Sequence, residues 1–173
     1  MESIENEGEQ KFSNFLEQIE RSASLKLYYV AIMASLAIPD IGAAAESHDG
    51  NTNGKKYIKW FDMYAAPKYH GFHGQNLTGK ECYSIRCSML HQGQMRHDGS
   101  SNYSGIIFRE IPQAVAPVSI FITQDKILLI EPKAFCTNMV HAAYDWLEAM
   151  HANEYFKANS KNFMTLFSLS FPE

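Results

Sequence analysis

Arg86 and His91 lie five residues apart in Tyr83-Ser84-Ile85-Arg86-Cys87-Ser88-Met89-Leu90-His91-Gln92-Gly93, and they are the pair in this chain best suited to chemistry. Arginine is permanently charged and holds phosphate oxygens through paired N–H donors. Histidine titrates near neutral pH and can take or give a proton there. Cleavage of RNA through its own 2′-hydroxyl needs those two things: a base for the hydroxyl proton, and a cation for the charge that builds on the phosphorane. No metal is required, which agrees with the lack of a carboxylate cluster in the sequence.

Other groups are weaker candidates. Lys55, Lys56 and Lys59, with Tyr57 and Trp60, form a basic-aromatic cluster that can bind a single-stranded substrate or simply make the solvated side of a helix. His70 and His73 with Cys82 and Cys87 are all good zinc ligands, but their spacing matches no compact finger, so no metal is expected. Cys87 and His91 share a helix face at i,i+4, yet a cysteine late in a helix lacks the N-terminal field that activates a thiol. Glycine-rich phosphate loops and nucleotide fingerprints are absent, so no cofactor is expected. The aromatics Tyr28, Tyr29, Trp60, Phe61 and Tyr64 suit either a small-molecule pocket or, more simply, a packed core.

The element that carries Arg86 and His91 is delimited by local signals. Thr78 followed by Glu81 is a capping box, which starts a helix near Gly79, and Gly93 is placed to end it. Cys82, Ile85 and Met89 make its buried stripe, with Arg86 at the edge. On a straight helix His91 points about 140° away from Arg86 and roughly 7.5 Å further along. The two side chains are therefore expected to diverge unless the helix unwinds near Leu90 or a second helix completes the site. The competing structural reading pairs Arg86 with Asp40 or Glu46, and lets His91 satisfy the last carbonyls of its helix.

Around that helix the sequence predicts a mainly α-helical bundle. Phe12, Phe15, Leu16 and Ile19 recur with helical spacing after an acidic segment, 1–10, expected to be disordered. Ser22 or Ser24 can cap the next helix, which begins near Leu25 and is apolar on nearly every side from Leu27 to Ile38. Pro39 is expected to kink or end it, with Ala43 to Glu46 able to continue it beyond a kink. Residues 47–54 and 68–75 read as loops, separated by a helix with Tyr57, Trp60, Phe61 and Tyr64 on one stripe. After Ser104 the period becomes strand-like at 106–108, 118–122 and 126–130. The last two runs flank Thr123-Gln124-Asp125 as an antiparallel hairpin. Pro132 opens a final long helix with Phe135, Met139, Ala143, Trp146, Leu147 and Met150 on one face. The tail from Phe163 to Phe171 alternates weakly. The expected fold is one α-rich domain spanning 1–173, with a small antiparallel sheet inserted before the last long helix.

The Arg-x4-His spacing of Arg86 and His91 near a helix end resembles the signature of the HEPN superfamily, many of whose members cut RNA. The ending Met89-Leu90-His91-Gln92-Gly93 also resembles an uncharacterised bacterial protein family with a Leu-Leu-His-Gln-Gly type of helix terminus. The first resemblance implies a homodimer in which two such helices meet and their Arg and His residues line one shared cleft. It implies a metal-independent endoribonuclease of the kind used in toxin or phage-defence systems, with Arg86 on the phosphate, His91 moving the proton, and an antitoxin or regulatory protein as a companion. The alternative it implies is a non-catalytic module for dimerisation or partner binding. One position departs from the superfamily pattern: the residue after the arginine is commonly polar there and is Cys87 here.

The totals set bounds on these readings. A formal charge of −4 provides no broad cationic field for nucleic acid, so any RNA contact must be local. Three cysteines without a close-spaced framework are expected to be reduced thiols, which points to a cytoplasmic setting. In that setting the sequons at Asn76 and Asn102 carry no meaning. The longest apolar run, Tyr28–Ala37, is too short to span a bilayer and is followed by Pro39, so no membrane is expected.

Overall fold

The apolar segment Tyr28–Ala45 becomes the helix around which the others assemble. The computed structural model describes residues 7–69, 76–93, 103–110 and 120–164. In chain order the helices are α1 (Glu7–Ser24), α2 (Tyr28–Ala45), α3 (Gly54–Trp60), α4 (Gly79–Gln92), α5 (Pro132–Met150) and α6 (Glu154–Asn159). The strands are β1 (Gly105–Phe108), β2 (Ile120–Ile122) and β3 (Ile127–Ile130). Helix α2 packs against α1, α3, α4, α5 and α6. Its Ala31, Ile32, Leu36 and Ile38 are buried, as a helix without a polar side requires. This helix alone has the length and apolarity of a membrane span among the described residues, and half of that span is buried inside the fold. One face of the helix is buried among its neighbours, and the face of Tyr29, Val30 and Met33 is exposed.

Pro39 neither ends nor interrupts α2, which runs on to Ala45. Proline removes one donor and crowds the preceding turn, but here neighbouring helices bury the ring and hold the segment helical. The first helix is longer than its apolar stripe suggested. It begins at Glu7, inside the acidic segment expected to be disordered, and Glu7 pairs with Lys11 one turn later at 2.8 Å. Neither Ser22 nor Ser24 caps α2, because both lie within α1. The turn between the two helices is instead a Schellman closure. Leu27 N–H donates to Ser22 O at 2.9 Å and Lys26 N–H to Ala23 O at 3.1 Å, with Lys26 itself left-handed at φ 60°.

The helix with Tyr57 and Trp60 widens into a π turn at Phe61–Ala65 and closes as a 3-10 turn at Ala66–Lys68, so its end coincides with Pro67. Trp60 lies directly on Gly42 of α2. A Cβ there would sit 2.4 Å from the indole Nε1. Phe61 stacks on Tyr69, Tyr69 packs on Phe135 and its hydroxyl donates to the Phe135 carbonyl at 2.8 Å. Trp146 on α5 meets Phe12, Trp60 and Phe156, and its indole donates to Glu46 at 2.9 Å. Of the five aromatics singled out in the sequence, Trp60 and Phe61 are core packing, Tyr28 and Tyr64 are partly buried against the core, and Tyr29 is exposed.

The sheet is small and mixed. Strand β2 pairs antiparallel with β3 across the expected turn, which Lys126 closes in the left-handed region at φ 57°. Strand β1 pairs parallel with β3, in register Gly105 with Ile127, which corrects the purely antiparallel expectation. The strand order is β1-β3-β2. Helix α5 starts at Pro132 and buries Phe135, Met139, Ala143, Trp146 and Leu147. A short helix unforeseen in the sequence, α6, follows with Asn153 as its cap. Residues 70–75, which contain His70 and His73, and the tail beyond Met164 lie outside the described residues, as do residues 94–102 and the first residues of the expected 118–122 strand.

Candidate functional site

Helix α4 is fixed at both ends by side-chain chemistry. The capping box forms: Thr78 N–H donates to Glu81 Oε2 at 3.0 Å, and Glu81 N–H to Thr78 Oγ1 at 3.4 Å. Asp62, from the π turn, adds an acceptor for Gly79 N–H at 2.6 Å, which complements the helix dipole. At the other end Gly93 adopts the left-handed conformation at φ 62° and its N–H returns to Met89 O at 3.0 Å. Cys82 and Ile85 are buried against the core and Met89 is partly so, which settles the rotation of the helix. That rotation puts Arg86 and Cys87 half in the protein and His91 on the surface.

Arg86 holds two neighbours at once. Its Nε donates to Asp40 Oδ2 on α2 at 2.7 Å, with the arginine side chain 22% and the aspartate 15% exposed. Its Nη1 lies 3.0 Å from His91 Nε2. Burial draws the guanidinium down, but the hydrogen bond and charge of Asp40 outweigh it, and Arg86 sits above its ordinary value. The expected divergence of Arg86 and His91 does not occur, although the helix continues unbroken to Gln92. The backbone directions do diverge, but the long arginine stem closes the gap. Glu46, the other candidate partner, is occupied by Trp146.

Behind this pair lies a layer of hydroxyl and thiol groups. The Tyr83 hydroxyl is raised above its usual range by a hydrogen bond to the Cys87 thiol and by partial burial. The same thiol neighbours Arg86 and adds to its upward shift. Deeper still, the buried Tyr57 hydroxyl donates to Leu36 O at 3.1 Å and lies 3.4 Å from Cys82 Sγ, whose thiol is pushed up to about 12 chiefly by burial. Sequence reading did not single out Tyr83 or Tyr57 here. The signal was present: Tyr83, Cys87 and His91 are spaced at successive intervals of four, which aligns them on one face.

The three lysines do not join this centre. Lys55 and Lys59 are exposed on α3, and Lys56 is bound to Asp49 at 2.7 Å and to Asn51 O at 2.8 Å. Lys56 holds the Asp49 carboxyl well below the usual range. Among the described contacts none links these lysines to Arg86 or His91. Helix α3 does touch α4 through Tyr83, whose ring packs on Tyr57 and against the Cα of Gly54. No group of three or more His, Cys, Asp or Glu side chains suited to a metal occurs among the described residues. An open groove of about 690 Å³ runs along α1 beside Phe12, Phe15 and Phe163, and none of Tyr28, Tyr29, Trp60, Phe61 or Tyr64 lines it. The chain matches no protein-family model, no curated protein and no solved structure.

Proposed function

We propose that this protein is a HEPN-like, metal-independent endoribonuclease that cuts single-stranded RNA at Arg86 and His91, in a cleft between two copies of the chain. The observation that carries the reading is the 3.0 Å approach of Arg86 Nη1 to His91 Nε2 at a half-exposed position. A phosphate-binding cation and a proton acceptor thereby address one point in space. The phosphodiester takes its place on the guanidinium, which has five N–H donors and commits two of them to Asp40 and His91. His91 then takes the 2′-hydroxyl proton as the 2′-oxygen bonds to phosphorus and the bond to the 5′-oxygen breaks. The departing 5′-oxygen takes a proton from water, and the imidazolium returns its own to the hydroxide formed.

The face of α2 beside the site supports a dimer. Tyr29, Val30 and Met33 are 84%, 61% and 39% exposed, and the same face continues through Ala37 to Asp40. An apolar strip that runs up to a polar centre suits an interface whose edge is the cleft. The test is cleavage of single-stranded RNA in the presence of a chelator, with size-exclusion chromatography of the same sample. Cleavage by a dimer that is lost in His91→Ala supports the reading, and an inert wild type or a monomer removes it. The second reading, a non-catalytic module for dimerisation or partner binding, is favoured by the Asp40–Arg86 pair, which ties α4 to α2 and offsets the cation a phosphate needs. An inert dimer selects that second reading.

A further inference from the structure

We infer that Asp40 is a positioning residue of this site: by gripping Arg86 it places the guanidinium so that His91 is held with its hydrogen on Nδ1 and its lone pair on Nε2. The inference deepens the proposed ribonuclease reading and rests on it for its functional meaning, though not for its test.

The chain of contacts runs from the core outward. Asp40 stands on α2, the helix that the other helices bury, and its side chain is 15% exposed. Its Oδ2 accepts the Nε–H of Arg86 at 2.7 Å, which sets the plane of the guanidinium. In that plane Nη1 faces His91 Nε2 at 3.0 Å. A guanidinium has N–H donors and no lone pair, so the imidazole nitrogen in this contact is the acceptor. A neutral imidazole with its lone pair on Nε2 carries its hydrogen on Nδ1. Free histidine in water favours the opposite arrangement, with the hydrogen on Nε2. The protein therefore reverses the intrinsic preference. The left-handed cap at Gly93 closes the last turn of α4, from which His91 projects.

The consequence for the reaction is a named atom. Nε2 is the nitrogen that takes the 2′-hydroxyl proton, and Arg86 Nη1 is the donor beside it. When RNA enters, the phosphate oxygen takes over Nη1 and the 2′-hydroxyl takes over Nε2. The resting contact keeps both groups aimed at the same gap, and Asp40 sets that aim from behind without touching the substrate.

The experiment is nitrogen-15 NMR of the histidine side chains in the uniformly labelled protein, at a pH where the imidazoles are neutral. The His91 signals are assigned by their loss in His91→Ala. Wild type is expected to show a pyrrole-like Nδ1 and a pyridine-like Nε2. Asp40→Asn, which keeps size and removes charge, is expected to move His91 toward the Nε2–H form, and Arg86→Lys to do the same. A wild-type His91 with its hydrogen mainly on Nε2 overturns the inference, as does a tautomer unchanged in Asp40→Asn. If Asp40→Asn does not fold, the wild-type and Arg86→Lys spectra decide. The readout needs no turnover, so an inert protein with the Nδ1–H form sinks the ribonuclease reading and keeps the positioning one. In an active protein, Asp40→Asn is expected to lower kcat on the order of 10–100-fold with little change in KM, whereas a merely structural role would leave the tautomer where it was.

Discussion

Replacing Asp40 and Arg86 by alanine, singly and together, measures how far this pair holds α4 to the core. The two charges are 2.7 Å apart between N and O, on side chains 15% and 22% exposed. With the centres of the two delocalised charges about 4 Å apart, they attract by about 4 kcal/mol at an effective dielectric constant of 20. Desolvation of both groups and about 2 kcal/mol of arginine rotamer entropy take back much of that. A coupling energy of about 1–2 kcal/mol is left, above the roughly 0–1 kcal/mol of exposed pairs and below the 3–5 kcal/mol lost when a fully buried pair is broken. Each single variant also strands a half-buried charge, so each is expected to cost about 2 kcal/mol. In a domain of this length that lowers Tm by about 4–8 °C. Urea unfolding of wild type, both single variants and the double variant gives the cycle. His91→Ala serves as the control: it removes an exposed ring whose place water can fill, and is expected to cost under about 1 kcal/mol. A coupling below about 0.5 kcal/mol would refute the reasoning, since the pair would then behave as an ordinary surface contact. The contrast also fixes how activity data are read. Loss of function in Arg86→Ala mixes chemistry with stability, whereas loss in His91→Ala does not.

Three further outcomes follow from the fold. Lys26 bears a left-handed φ of 60° at the end of α1, and Lys26→Gly is expected to stabilise the protein by about 1 kcal/mol, read as a rise of about 2–4 °C in Tm, because its exposed ion pair with Glu110 contributes little. Gly42→Ala drives a methyl into Trp60, 2.4 Å from the indole nitrogen and 2.8 Å from the next ring carbon, and is expected to destabilise by about 1–3 kcal/mol in the same assay. The buried thiols of Cys82 and Cys136, pushed up by burial to about 12 and about 11, make stability fall in alkali. Both are raised above the ordinary thiol range near 9, so the unfolded chain loses these protons first. The stabilisation is complete below pH 9 and is lost as pH rises towards 11–12, by up to about 1.4 kcal/mol per pH unit per thiol. Thermal melts from pH 8 to 10 check this, and Cys82→Ala is expected to flatten the slope.

Much of α4 was legible because its signals are local. Thr78 and Glu81 sit three apart and satisfy each other, and Gly93 supplies the one conformation that ends the turn. Pro132 at the first position of α5 is legible for the same reason. The serines before α2 misled because α1 extends through them and its end is closed by backbone bonds around Lys26. Pairing of β1 parallel to β3 depends on a contact across a connection that contains β2, which no local pattern encodes. At the site, the residue types and the Asp40 contact were readable, since a half-buried arginine needs an acid. The meeting of Arg86 with His91 was not. Helical angles place the Cβ atoms, and it is the length of the arginine stem, bent by its bond to Asp40, that brings Nη1 to the imidazole.

Metal-independent RNA cleavage by Arg86 and His91, as proposed, is tested by single-stranded RNA incubated with the protein in excess chelator. The expected products are fragments ending in a 2′,3′-cyclic phosphate, with no cleavage where the 2′-hydroxyl is replaced by hydrogen and none by folded His91→Ala. Intact RNA with wild type, or undiminished cleavage by His91→Ala, would contradict it.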